Sequence, residues 1–167
     1  LEIIERNQVD LILPTSDEEA LALSKEKINI EKTGATLACS DYKTLEILSN
    51  KAACYEHLAE MGVSVPSWKM ANSISELIAI LESDIKVKGE LVVKPTNERG
   101  GRGIFVIHDT LSEDKNRHGE RELHISIRAF KDQYSRTGVI SLPVMIMERL
   151  KDPVYDIDML AWQGKPI

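Results

Sequence analysis

Cysteine is scarce: Cys39 and Cys54 are the only two in 167 residues. They lie outside any Cys-x-x-Cys spacing and are too few for a disulfide framework. That excludes a disulfide-stapled secreted scaffold and fits a reducing cytosol, with both thiols expected to be buried. Basic charge is also short, with 21 Lys and Arg against 27 Asp and Glu and a formal net charge of -6. A general electrostatic attraction to nucleic acid or to an anionic membrane is thereby excluded, and any anion the chain binds must be held locally. No apolar run approaches the roughly 18–20 residues of a membrane span. No basic segment followed by an apolar one opens the chain as a secretory signal would. The expectation is a cytoplasmic protein that contacts neither nucleic acid nor membrane.

Several catalytic constellations are missing as well. There is no Gly-x-Ser-x-Gly nucleophile elbow. His57, His108, His118 and His124 have no spacing with the cysteines that would assemble a zinc site. The Lys and Arg residues between Lys115 and Arg136 are interleaved with Glu and Asp, which makes a mixed solvated face and not a nucleic-acid stripe.

What is present is enough apolar material, 43% of the residues, to bury the core of one domain or two small ones. Val9 to Pro14 is a short apolar run stopped by proline, and Ser16 with Glu19 then fits a capping box. This predicts a strand and then a helix running through Ala20, Leu21, Leu23 and Lys27. Thr15, Ser16 and Asp17 at that junction are candidates to face a substrate, although capping accounts for them. Thr36 to Cys39 reads as a second strand, and strand alternating with helix implies a parallel α/β unit. Asp41 and Asn50 each precede helix-forming stretches, the second running from Lys51 to Met61 and closed by Gly62. Ser73 with Glu76 is another capping box, and Ile74, Leu77, Ile78 and Leu81 form one apolar helix face. Ser112 to Glu122 is polar and reads as an exposed loop, Leu123 to Tyr134 as a helix, Val144 to Met147 as a strand, and Tyr155 to Leu160 as another by alternation.

The most informative segment joins two β-rich runs, Leu91 to Pro95 and Ile104 to Ile107, through Thr96-Asn97-Glu98-Arg99-Gly100-Gly101-Arg102-Gly103. Glycines let backbone N–H groups converge on an anion, and Arg99 and Arg102 add charge. The loop is neither a P-loop nor a dinucleotide fingerprint, because both of those open a helix. An ordinary hairpin remains an alternative. Lys94, at the end of its strand on the face of Val92, favours the anion-binding reading over a solvated lysine.

Three features in this order resemble the ATP-grasp superfamily: Lys51 opening a helix, Lys94-Pro95 before Gly100-Gly101-Arg102-Gly103, and Met147-Glu148-Arg149-Leu150 after a strand. With the Pro66 segment after Gly62 they are similar to the carbamoyl phosphate synthetase large chain, biotin carboxylase and D-alanine:D-alanine ligase. The resemblance implies that Lys51 and Lys94 contact ATP phosphates, that the loop with Arg99 and Arg102 folds over them, and that the backbone around Glu148, Arg149 and Leu150 reads adenine. Lys51 also suits a solvated first-turn position, and the hinge also reads as an edge strand ending in an Asp-Pro turn. Two departures stand out. Members often carry an acidic residue where Met147 stands and a ribose-binding carboxylate where Val154 stands.

On this resemblance the fold is α/β, ATP-grasp. Residues 1–49 form the end of a substrate-side pre-ATP-grasp domain, 50–65 a connecting helix, 66–147 the small α+β lobe, and 148–167 the hinge and the start of the large lobe. The chain starts at Leu1 without Met and ends soon after a strand and turn, so it is expected to be a fragment that is inactive alone. Magnesium ligands of the intact protein are expected beyond Ile167, and no metal ligand is assigned here; Asp156 and Asp158 read as polar strand positions. The implied activity of the whole protein is ATP-dependent ligation of a small carboxylate to an amine, ammonia or thiol through an acyl phosphate. The alternative is a non-catalytic nucleotide-binding or interaction module with the same fold.

Overall fold

A computed structural model describes residues 1–97, 103–110, 122–136 and 139–151, and beyond these residues 153, 155, 157, 159–162, 165 and 166. The first part is a small parallel unit. Helix α1 (Glu2–Arg6) precedes β1 (Leu11–Ile12), helices α2 (Asp17–Lys25) and α3 (Lys27–Glu31) follow, and β2 (Thr36–Leu37) pairs in parallel with β1. The predicted capping box at Ser16 forms: its hydroxyl accepts the Glu19 N–H at 3.2 Å, and the Glu19 carboxylate accepts the N–H of Thr15 at 2.8 Å. Thr15 and Ser16 are thus engaged in starting the helix. The predicted helix through Lys27 breaks at Glu26, and Lys27 begins α3 with its ammonium donating to the carbonyls of Leu37 and Cys39 at 2.8 and 3.0 Å. Reaching β2 is what the kink allows. Ile30, Ala35 and Leu37 form the core of this unit. Both cysteines are half-buried, not buried, and burial pushes the Cys39 thiol above its usual value.

Asp41 caps α4 (Tyr42–Ser49) and Asn50 caps α5 (Lys51–Glu60). The remaining chain builds a five-stranded sheet from β3 (Trp68–Ala71), β4 (Glu90–Pro95), β5 (Ile104–His108), β6 (Glu122–Ser126) and β7 (Val144–Glu148), with α6 (Ile74–Lys88) and α7 (Ile127–Tyr134) packed on it. The strand order is β3-β7-β4-β5-β6, antiparallel except for the parallel pair β5–β6. Strand β7, last in sequence of the five, is inserted between β3 and β4.

Register assigns the two faces, because directly opposed residues share a face. Leu91, Val93, Ile107, Ile125, Val144 and Ile146 pack under α6 and α7 together with Leu77, Leu81, Ile85 and Phe130. Lys69 also faces that side, and its ammonium meets the Asp84 carboxylate of α6 at 2.8 Å. The opposite face carries Trp68, Met70, Val92, Lys94, Met145 and Met147, partly covered by Ala52 and Tyr55 of α5.

Two sequence expectations fail here. Strand β6 takes residues 123–126, where the start of a helix was expected, together with Glu122, where a loop was expected to end; the helix begins only at Ile127, capped by the Ser126 hydroxyl. The physical reason is pairing: Phe105, Val106 and Ile107 of β5 offer a free edge that residues 123–125 complete. Of the strand expected over Tyr155 to Leu160, the described residues Tyr155, Ile157, Met159 and Leu160 are in no strand and are exposed, while Asp156 and Asp158 lie outside the described residues. A short antiparallel pair, β8 (Ala161–Trp162) with β9 (Lys165–Pro166), follows instead.

Candidate functional site

The site is built where α5 starts and β4 ends. The Asn50 side-chain oxygen accepts the N–H groups of Ala52 and Ala53 at 3.0 and 3.2 Å, which fixes Lys51 as the first helical residue. The Lys51 backbone N–H donates to the Thr96 carbonyl at 3.2 Å, and its ammonium donates to the same oxygen at 3.3 Å. Thr96 is only 2% exposed, so the helix start is anchored to the chain just past β4. Lys94 stands two residues earlier, half-buried, opposite Met145. Its ammonium lies 5.2 Å from the centre of the Tyr55 ring. Burial, and then the neighbouring Lys51, push the Lys94 pKa below its ordinary value. Among the described residues no carboxylate pairs with Lys94.

Two lysines from distant parts of the chain thus share one patch. A half-buried cation with a like-charged neighbour and no acid partner among the described residues is a site of positive potential in a medium that screens poorly. Chemically it is suited to receive a multiply charged anion through charge-assisted hydrogen bonds.

Of the glycine loop, Arg99, Gly100, Gly101 and Arg102 lie outside the described residues. Gly103 is described and shows why glycine stands there: its φ is +69°, and a Cβ would meet the Pro95 ring carbon at 3.2 Å. The end of the loop is therefore folded back against the end of β4, beside Lys94.

Glu148, Arg149 and Leu150 lie at the other end of the sheet. Glu148 closes β7, with its N–H donating to the Ser67 carbonyl at 3.2 Å and its carboxylate accepting the Ser67 N–H at 2.8 Å. Its side chain is thereby engaged by the chain before β3. Arg149 reaches Glu90 at 3.7 Å and Glu122 at 3.9 Å, while Leu150 is exposed. Glu148, Arg149 and Leu150 border an open groove of about 740 Å³ with Lys88, Glu90 and Lys151. Met147 is 6% exposed and packs with Tyr55 and Trp68. An apolar residue there suits its buried surroundings.

Tyr55 and the histidines carried no weight in the sequence. Tyr55 follows Lys51 by four residues, a spacing that places both on one helix face and that marks it in hindsight. His108 and His124 are brought together by strand pairing: His108 Nε2 is 3.0 Å from His124 Nδ1, and His108 Nδ1 is 3.1 Å from Glu90. Neutral rings satisfy this if each Nδ1–H donates, His108 to Glu90 and His124 to His108. No local motif signals such a pair. Among the described residues no cluster of three or more His, Cys, Asp or Glu side chains is arranged to hold a metal ion, and no helix is long and apolar enough to cross a membrane.

An ATP-grasp RimK domain protein from Sphaerobacter thermophilus matches 80% of this chain and 42% of its own, with a TM-score of 0.51 and 14% identity. The fold is ATP-grasp. A second match is the biotin carboxylase domain of the Hydrogenobacter thermophilus 2-oxoglutarate carboxylase, a dimer in complex with MgADP, ADP and bicarbonate. It covers 90% of this chain and 30% of that one, with a TM-score of 0.51 and 15% identity. No protein-family model matches the chain. The chain spans less than half the length of either structure. Within the ATP-grasp fold, Lys51 and Lys94 come together, Gly103 closes on the end of β4 beside them, and the Glu148 to Leu150 segment stands apart at the far end of the same sheet.

Proposed function

We propose that this chain is the ATP-binding part of a carbamoyl-phosphate-synthase-like ligase that joins a small carboxylate to an amine, ammonia or thiol. The observation that carries the proposal is the convergence of Lys51 and the half-buried Lys94 on one face of an ATP-grasp sheet. Glu90 and Lys94 lie on that face four residues apart in β4, which is about 13 Å at strand spacing. An extended ligand with an anionic end and a planar end fits that separation, as a nucleoside triphosphate does.

In this reading Lys51 and Lys94 hold phosphate oxygens, and the loop that ends at Gly103, with Arg99 and Arg102, folds over them. The backbone from Glu148 to Leu150 receives the adenine. Residues 1–49 belong to the substrate-side domain, 50–65 to the connecting helix, 66–147 to the small lobe and 148–167 to the hinge and the large lobe. The whole protein would use the carboxylate oxygen to attack the γ-phosphorus. The bond to the β–γ bridging oxygen breaks, ADP leaves with the electron pair, and the acceptor then displaces phosphate from the acyl carbon. Magnesium, whose ligands this reading places outside residues 1–167, would supply charge neutralisation at the transferring group. The lysines contribute fixed positive charge and positioning.

Calorimetric titration of ATP into the chain tests the reading. Binding that weakens about tenfold or more in Lys94→Met, with the fold retained, is expected; wild-type protein that binds no ATP overturns it.

A further inference from the structure

Lys94 is half-buried and has no carboxylate partner among the described residues, yet its ammonium is not without support, because it lies over the Tyr55 ring at 5.2 Å. That ring is itself held on several sides. Its hydroxyl points to the Met147 sulfur at 3.9 Å, and its edge packs against Trp68 with centroids 6.4 Å apart and planes at 74°. Burial raises the phenol pKa, so the ring stays neutral and adds no counter-charge. Helix α5 carries Tyr55 one turn after Lys51, and that helix start is tied to the Thr96 carbonyl at the exit of β4. One rigid helix therefore sets both the second cation and the surface on which Lys94 rests.

We infer that Tyr55 is a positioning residue, an aromatic platform that aims the Lys94 ammonium at the phosphate of the nucleotide. This rests on the phosphate-binding reading of Lys94 given above. A carboxylate in the same place would orient Lys94 equally well, but it would neutralise the charge and compete with the incoming phosphate. The face of an aromatic ring attracts a cation without accepting its protons as a carboxylate does. An ammonium has three donors, so the ring can cover one side while phosphate oxygens take the N–H groups on the other.

The role is separable from packing by keeping the shape of the ring and changing its electrons. The full chain is prepared with Tyr55→Phe and with phenylalanines of increasing ring fluorination at position 55, which withdraw negative charge from the ring face with little change in size. ATP dissociation constants are measured by calorimetry, with thermal unfolding as a control for the fold. Tyr55→Phe is expected to bind ATP about as well as wild type. Affinity then falls stepwise with fluorination, and Tyr55→Leu binds roughly two- to thirtyfold more weakly. A flat affinity across the fluorinated series, with Lys94→Met still weakening ATP binding, overturns the platform and leaves the phosphate reading intact. Absence of ATP binding by wild type overturns the phosphate reading itself.

Discussion

Replacing Lys94 by Met separates what the residue does for ATP from what it does for the fold. The substitution keeps a long unbranched stem opposite Met145 and removes the ammonium. Against the fold, the charge is disfavoured by burial and by Lys51, the two causes that lower its pKa. In its favour is the Tyr55 ring, worth about 0.5–1 kcal/mol for a partly exposed cation. These contributions oppose one another, so the net change in stability is expected within about 1 kcal/mol of zero, or roughly 2–4 °C in a chain of this size. Binding should behave differently. A hydrogen bond to a charged group is worth about 1.5–3 kcal/mol, so ATP affinity should fall roughly ten- to over a hundredfold. Differential scanning calorimetry and ATP titration on the same preparations report both quantities. A melting temperature lowered by more than about 8 °C would mean that Lys94 is a structural residue. Unchanged ATP affinity with an unchanged melting temperature would remove it from the site.

Three further outcomes test the remaining geometry. Burial lowers the His108 pKa from its ordinary 6.5, so the native state binds fewer protons than the unfolded state below that value. Its contribution to stability is therefore complete above pH 6.5 and lost as the pH falls through the folded-state value; melting temperatures of His108→Gln between pH 7.5 and 5 should decline less than those of wild type. Leu81 is fully buried between α6 and the sheet, and Leu81→Ala should cost about 2–5 kcal/mol in urea unfolding; a loss under 1 kcal/mol would contradict that packing. Gly103→Ala meets both a positive φ and the Pro95 ring at 3.2 Å, whereas Gly62→Ala meets a positive φ of +76° with open space around it. Both should lose stability, by roughly 1–2 kcal/mol for the backbone alone, and Gly103→Ala should lose more.

The sequence by itself determined the features that depend on neighbours within a few residues. Ser16, Asp41, Asn50 and Ser73 each cap a helix through a bond to a backbone N–H two or three residues on, as their spacing predicted. The two strands that flank the glycine-rich segment, Glu90–Pro95 and Ile104–His108, were legible for the same reason, as was the parallel α/β start. Tertiary structure decided what depends on partners far along the chain. Residues 122–126 became a strand because β5 offered an edge, and β7 entered between β3 and β4, which set Met145 against Lys94. Tyr55 reached Lys94 because α5 packs on that face, and His108 met His124 through strand register. A cap is closed by its own turn, so local residue types specify it. Contacts between strands and helices separated by tens of residues are selected by burying the whole sheet at once, and only the folded chain fixes which side chains then share a face.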